Sequence, residues 1–171
     1  LTRLAREAKS AGKGSFAFAW VLGEEASERE RGVTMDVGVN HFSTAARSFT
    51  LLDAPGHRDF VPDTITAIAQ ADAAILVLDA TPDEFEMSVH GGGQAREHIV
   101  LARNFGVTSL VVAVNKMDAP TVAWSKARFD EIVASLSPVL VSVGFKLENV
   151  VFLPVSGLTG VNLVRDPVAM R

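Results

Sequence analysis

Short apolar runs recur along the chain from residue 35 onward, and stretches with the apolar spacing of helices lie between them. The last four runs are continuous and rich in Val, Ile and Leu, which is typical of strands buried on both faces of a parallel sheet. The alternation of strand and helix predicts an α/β fold with a mostly parallel sheet flanked by helices. The predicted strands are 35–42, 48–53, 73–79, 109–115 and 149–155, and the predicted helices are 61–70, 94–105 and 125–143.

The first 34 residues have a different pattern. Leu1, Leu4 and Ala8 share one face of a helical wheel, which predicts a helix that the stretch GKGSF at 12–16 interrupts. The charge-dense run GEEASERERG at 23–32 is typical of a solvated helical face.

Composition places the chain among ordinary globular domains. Its 171 residues are enough for one domain with a hydrophobic core. The formal net charge of −4 argues against a strongly basic nucleic-acid platform. The absence of cysteine excludes disulfides and thiol chemistry and fits a cytoplasmic location. No apolar run reaches the roughly 18–20 residues that a membrane span needs, so we expect no membrane partner.

Three polar clusters directly follow predicted strands. They are Asp53–His57 (DAPGH), Asn115–Asp118 (NKMD) and Ser156–Leu158 (SGL). In open parallel sheets, ligands bind at the carboxyl ends of the strands. The pattern therefore predicts that the three clusters meet at one sheet edge and form a ligand site.

The cluster at 115–118 has the chemistry to read guanine. A carboxylate only accepts hydrogen bonds, and guanine presents a ring N–H beside an exocyclic amine, so Asp118 fits guanine and not adenine. Asn115 would brace neighbouring loops, and the stem of Lys116 would cover the base. Backbone N–H groups of Ser156 and Gly157 would meet the guanine carbonyl. The alternative interpretation of each cluster is a polar turn after a strand.

The cluster at 53–57 has the chemistry of a phosphate site. Asp53 at a strand tip is suited to Mg²⁺, and Gly56 lets its backbone N–H approach a terminal phosphate. His57 is placed to orient an attacking water, and Thr34 in the loop RGVT would close on Mg²⁺ and the γ-phosphate. The alternative interpretation is a Pro-Gly turn with an incidental histidine and a threonine that starts a strand.

Taken together, these motifs resemble the translational GTPases, in particular the elongation factor 1-alpha group. The resemblance spans essentially the whole chain and is most specific in DAPGH together with NKMD. Within the group, three stretches are most similar to the ribosome-rescue branch, which works with Pelota: GVTMDVG, GGGQAREH and GFKLENVVFLPVSGLTGVNL. The resemblance implies a P-loop NTPase-like G domain that binds GTP or GDP with Mg²⁺ and hydrolyses GTP on the ribosome. The implied partner is a Pelota-like rescue factor or another tRNA-shaped molecule, either tRNA or a release factor.

The resemblance also assigns roles to matching residues. Thr34 and Asp53 would serve Mg²⁺, Gly56 would contact the γ-phosphate, and His57 would position the attacking water. The residues assigned to guanine are Asn115, Lys116, Asp118 and Ser156, with Gly157 and Leu158 in the same loop. Two stretches depart from the family pattern, because Asp63–Ala67 replaces Asn-Met-Ile-Thr-Gly and Ala95 replaces a threonine.

The sequence lacks the phosphate-binding motif G-x-x-x-x-G-K-[ST]. By resemblance, this loop and a central first strand would precede Leu1 in the sequence. In the sheet, that strand would lie between the strands at 48–53 and 73–79. We therefore expect residues 1–171 to be an incomplete GTP-binding domain that is followed by two β-barrel domains. Alone, it should bind GTP poorly and hydrolyse it negligibly.

Four alternatives remain open at this stage. The parent protein could be the elongation factor itself or the termination-factor GTPase, and a GTPase subunit of sulfate activation carries a similar switch. A degenerate G domain, retained only as a binding module, is the fourth. The intact DAPGH and NKMD motifs argue against the degenerate domain.

Overall fold

The computed structural model describes residues 36–90 and 92–163, and the expectations for residues 1–34, Thr34 among them, lie outside this part. The described residues belong to two compact units with a boundary between Gln70 and Ala71. Each unit has its own sheet.

The first unit contains an antiparallel hairpin followed by a helix. Strands β1 (Gly38–Ser43) and β2 (Ser48–Asp53) pair with Phe42 opposite Phe49, and these two rings stack with centroids 5.0 Å apart. The Thr44 hydroxyl accepts from the backbone N–H groups of residues 46 and 47 and closes the connecting turn. A short 3-10 helix (Arg58–Phe60) then leads into helix α1 (Val61–Ile68).

The pairing of β2 differs from the expectation. Residues 48–53 were expected in the parallel sheet, but in the described part of the chain β2 pairs antiparallel with β1. An apolar run predicts a buried strand and does not specify its neighbour, whereas the short turn after β1 favours the hairpin.

The second unit is a three-stranded parallel sheet with helices. Its strand order is β3-β4-β5, and both pairings are parallel. The fold class predicted from the sequence, an α/β domain with a parallel sheet flanked by helices, is confirmed. The elements are β3 (Ala73–Asp79), α2 (Glu84–Val89), α3 (Gln94–Asn104), β4 (Ser109–Asn115), α4 (Lys126–Val143), a 3-10 helix (Leu147–Asn149) and β5 (Val150–Pro154).

The core of the second unit lies on one face of its sheet. Alternate residues of the central strand β4, Leu110, Val112 and Val114, are buried together with Ile99 and Ile132 from the helices. The opposite face was expected to be buried as well, and in the described part of the chain it is not. Ile75 and Val77 are 62% and 61% exposed. The helices of this unit pack on the other face, and Ile75 and Val77 are left exposed in the described part of the chain.

Glycines mark the ends of two helices. Gly144 caps α4 in the left-handed conformation with φ 103°, and Gly106 follows α3 with φ 96°. Both positions are as the sequence predicted, because glycine adopts this conformation without steric cost. Gly93 has a different constraint: a Cβ there would lie 2.1 Å from the Ser88 carbonyl oxygen, so α3 can begin against the end of α2 only with glycine.

No helix in the described ranges is both long and apolar enough to cross a membrane.

Candidate functional site

Hydrogen bonds connect the loops that follow β4 and β5. The Asn115 side-chain oxygen accepts from the Gly157 backbone N–H at 2.8 Å, which is the bracing contact that the sequence predicted for Asn115. The Met117 N–H also donates to the Val155 carbonyl at 3.2 Å. Two of the three predicted clusters, 115–118 and 156–158, therefore share one sheet edge. Cluster 53–57 follows β2 in the other unit, and its meeting with them stays a prediction.

Lys116 forms an ion pair that the sequence did not reveal. Its Nζ lies 2.5 Å from Oδ2 of Asp79, the last residue of β3. The hydrogen bond that the Lys116 ammonium donates to Asp79 raises the pKa of Lys116. Partial burial opposes ionisation of Asp79, but hydrogen bonds from Lys116 and Thr81 lower its pKa overall. Both groups are therefore charged over the physiological range.

Asp118 contrasts with Lys116. Its side chain is half-buried, and its carboxylate has no hydrogen bond or ion pair with the part of the chain that the structure describes. A half-buried carboxylate without a partner is unfavourable unless a ligand or water supplies donors. The arrangement has the acceptor that a guanine edge requires.

The loop at 156–158 uses most of its donors internally. Ser156 is fully buried, its hydroxyl accepts from the Thr159 N–H at 3.1 Å, and its own N–H donates to the Val161 carbonyl at 3.3 Å. The Gly157 N–H is held by Asn115. Leu158 is 63% exposed, and its N–H has no partner among the described residues. The N–H groups of Ser156 and Gly157, which were predicted to meet the guanine carbonyl, are thus already bonded within the two loops. Among residues 156–158, Leu158 carries the backbone N–H without a partner in the described ranges.

The loop at 53–57 is anchored by a buried hydroxyl. Pro55 is fully buried, and its carbonyl accepts from Thr64 Oγ1 of helix α1 at 2.6 Å. Thr64 is one of the residues that depart from the family pattern. Asp53 ends β2 opposite Gly38. The space where a Cβ of Gly56 would lie is open, and φ of Gly56 is not positive. Neither crowding nor backbone conformation in the described part requires glycine at 56, which favours a role in contact with a ligand.

His57 begins the short 3-10 helix. Its Nδ1 accepts from the Asp59 N–H at 3.2 Å, so the neutral ring carries its proton on Nε2. The side chain is 48% exposed, and the Phe60 ring lies 6.2 Å away, tilted by 59°. The ring therefore presents a donor to solvent from a position fixed through its other nitrogen.

The donor set for Mg²⁺ is only partly in the described region. Asp53 supplies the oxygen ligand type that Mg²⁺ prefers, and Thr34 lies outside the described residues. Residues 36–90 and 92–163 contain no cluster of three His, Cys, Asp or Glu side chains that could hold a metal ion. Asp53 fits an Mg²⁺ that takes its other ligands from phosphates and water, as Mg²⁺ sites with substrate phosphates do.

Sequence reasoning missed Asp79, Thr81 and Arg128. Arg128 of α4 is nearly buried, donates through Nε to the Ala80 carbonyl at 3.0 Å and pairs with Glu86 at 2.9 Å. One sequence signal could have identified Asp79: it ends its apolar run, just as Asn115 ends the following apolar run. Strand register, which the sequence does not give, places the two side by side.

Comparison with known proteins gives a consistent result. Residues 2–166 match the family model described as the elongation factor Tu GTP binding domain. The chain is 52% identical over 160 residues to Protein HBS1 of Drosophila melanogaster, covering 94% of this chain and 24% of that protein. It is 50% identical over 165 residues to elongation factor 1-alpha of Hyperthermus butylicus, covering 96% of this chain and 38% of that protein.

Solved structures agree with the sequence matches. A crystal structure of sup35 complexed with GDP has a TM-score of 0.64 and 38% identity, covering 95% of this chain and 37% of that chain. The chain thus spans between a quarter and two fifths of the length of these relatives. The match over nearly all of its residues shows that this chain belongs to the elongation factor Tu GTP-binding domain family.

Proposed function

We propose that this chain is the base-reading part of a GTP-binding and GTP-hydrolysing switch that acts in translation. The observation that carries the proposal is the loop pair after β4 and β5, where Asn115 holds Gly157 and the carboxylate of Asp118 has no partner in the described ranges. In this proposal Asp118 accepts from the two N–H donors of guanine, and the stem of Lys116 covers the base. The Leu158 N–H donates to the guanine carbonyl.

Hydrolysis is proposed to be in-line attack of water on the γ-phosphate of GTP. In this proposal His57 would orient the water, Gly56 would offer its backbone N–H to the γ-phosphate, and Asp53 with Thr34 would hold Mg²⁺. Bound Mg²⁺ would supply charge stabilisation at the phosphates. The position of His57 beside Asp59 supports its role, because the anchored Nδ1 leaves Nε2–H directed away from Asp59.

Full nucleotide affinity is proposed to need a phosphate loop from outside residues 1–171. Residues 1–171 contain no G-x-x-x-x-G-K-[ST] motif, and such a loop supplies the backbone N–H groups and the lysine around the phosphates. Residues 1–171 alone should therefore bind GTP weakly and hydrolyse it negligibly.

The translation step proposed is rescue of stalled ribosomes in the cytoplasm, together with a Pelota-like factor. The identity to HBS1 supports this choice. The identity to elongation factor 1-alpha, 50% against 52%, supports delivery of tRNA as the second candidate. To separate them, GTP hydrolysis by the full-length gene product is measured on ribosomes with either a Pelota-like factor or aminoacyl-tRNA. Stimulation only by aminoacyl-tRNA would contradict rescue.

The base assignment is tested with Asp118→Asn in the full-length gene product. An amide donates to the carbonyl that replaces the guanine amine in xanthine, so affinity should shift from GDP toward xanthosine diphosphate. Asp130→Asn, which changes an exposed aspartate on α4, is the matched control. An unchanged base preference for Asp118→Asn would contradict the assignment, and absence of GDP binding in the wild type would favour the degenerate binding module.

A further inference from the structure

We infer that Asp79 is a positioning residue for Lys116 and, through it, for the guanine base. The inference rests on the proposed function, because Lys116 matters to a nucleotide only if residues 115–118 bind guanine. Asp79 ends β3 and lies in register with Asn115, the last residue of β4. The residue that follows Asn115 is Lys116, so strand pairing alone brings the carboxylate and the ammonium to the same point of the sheet edge.

The two oxygens of Asp79 have separate partners. Oδ2 pairs with Lys116 Nζ at 2.5 Å, while Oδ1 accepts from the Thr81 N–H at 2.9 Å and from the Thr81 hydroxyl at 2.7 Å. The side chain of Asp79 is 21% exposed, whereas that of Lys116 is 60% exposed. The carboxylate is therefore held in place by its own turn, and the lysine is the member of the pair that a fixed partner restrains.

The turn that holds Asp79 is itself fixed from helix α4. Arg128 donates from Nε to the Ala80 carbonyl at 3.0 Å and from Nη2 to the Thr81 carbonyl at 3.4 Å. Its guanidinium also lies 5.6 Å from the centre of the Phe85 ring. A continuous set of contacts thus runs from α4 through residues 80–81 to Asp79 and ends at Lys116.

The backbone of Lys116 adds a second restraint. Its φ is 62°, in the left-handed region that side chains other than Gly, Asn and Asp rarely adopt, and its carbonyl accepts from the Ala119 N–H at 2.9 Å. The stem is therefore fixed at its backbone end by this turn and at its ammonium end by Asp79. A side chain that is ordered before the base arrives loses less rotamer freedom on binding.

The inference is tested by GDP affinity and GDP dissociation rate in the full-length gene product. Asp79→Asn keeps the shape of the side chain and removes the charge that faces Lys116. We expect GDP affinity to fall about three- to tenfold, with the loss in faster dissociation. Asp130→Asn is the control, because Asp130 pairs with Lys126 at the same Nζ–Oδ2 distance of 2.5 Å on the exposed face of α4, and it should leave both values unchanged.

A double-mutant cycle separates positioning from a merely structural role. In a Lys116→Met background, Asp79→Asn should no longer alter GDP affinity, since the group that it positions is absent. If Asp79→Asn does not fold, Asp79→Glu takes its place in the cycle. The inference is overturned if Asp79→Asn leaves or raises GDP affinity, or if its effect persists with Lys116→Met. Wild-type protein that binds no guanine nucleotide would instead overturn the proposed function.

Discussion

Neighbouring charges of the 115–118 loop have opposite surroundings. Lys116 is paired with Asp79, whereas the carboxylate of Asp118 has no partner in the described ranges. The carboxylate of Asp118 therefore keeps its full acceptor capacity for water or for a ligand that supplies donors. At the residue scale, the distribution of partners therefore separates Lys116, which is held by the protein, from Asp118, which is available to a base.

His57 gives a prediction at the same scale. In the full-length gene product, His57→Ala should lower ribosome-stimulated GTP hydrolysis by about 100-fold or more, because the water loses its orienting group. GDP affinity should stay within about twofold of the wild type, since guanine is read elsewhere in this proposal. Single-turnover hydrolysis and GDP titration measure the two quantities. His41→Ala on exposed strand β1 is the control, and unchanged hydrolysis by His57→Ala would exclude the role.

Helices, strands and the contacts between them make up the next scale. The apolar runs predicted β3, β4 and β5 to within a residue at each end, because the burial of a strand imposes a hydrophobic pattern on its own residues. Helix α2 (Glu84–Val89) was missed, since six residues with two acids carry too little periodicity. The Asp79–Lys116 pair was also missed, because it depends on the register between strands, and register is a property of the folded sheet.

Thr64 joins helix α1 to the loop at 53–57. Thr64 is 3% exposed and donates to the Pro55 carbonyl at 2.6 Å. Thr64→Val keeps the shape and leaves that carbonyl unpaired, so we expect the free energy of unfolding to fall by about 1–2 kcal/mol. The backbone amides of residues 53, 54, 56 and 57 should also exchange hydrogen faster.

The control for this change is on the same helix. Thr66 donates to the Pro62 carbonyl at 3.0 Å from an exposed position, where water replaces the lost bond. Thr66→Val should therefore change the free energy of unfolding by less than about 0.5 kcal/mol. Equal effects of the two substitutions in urea denaturation would show that the Pro55 contact has no special weight.

The pH dependence of stability is a property of the whole molecule. Burial lowers the pKa of His98 from its usual 6.5, and Glu97 opposes this effect. The unfolded chain therefore binds this proton more readily, so stability is full above pH 6.5 and falls as the pH drops below it. Asp79 has a lowered pKa, so its contribution is present above pH 3.8 and is lost below that value. Melting temperatures from pH 8 to pH 3 should fall in these two windows.

Substitution assigns the first window. His98→Gln removes the half-buried imidazole and should flatten the decline between pH 7 and pH 5.5, while the control His41→Gln removes an imidazole from exposed β1. A decline that is the same in both variants would assign the window to other groups. Neither the lowered pKa of Asp79 nor its ion pair could be predicted from the sequence, because both follow from the fold.

The open space around Gly56 has a consequence for mutational tolerance. In a library of variants selected only for cellular abundance, Gly56→Ala and Gly56→Ser should persist, since no described atom lies within 4 Å of the added carbon. Every substitution at Gly93 should be depleted, because its side chain would meet the Ser88 backbone. Selection for GTP hydrolysis should then remove the Gly56 variants too. A position that is permissive for folding and restrictive for activity is one where the ligand, rather than the protein, determines the amino acid.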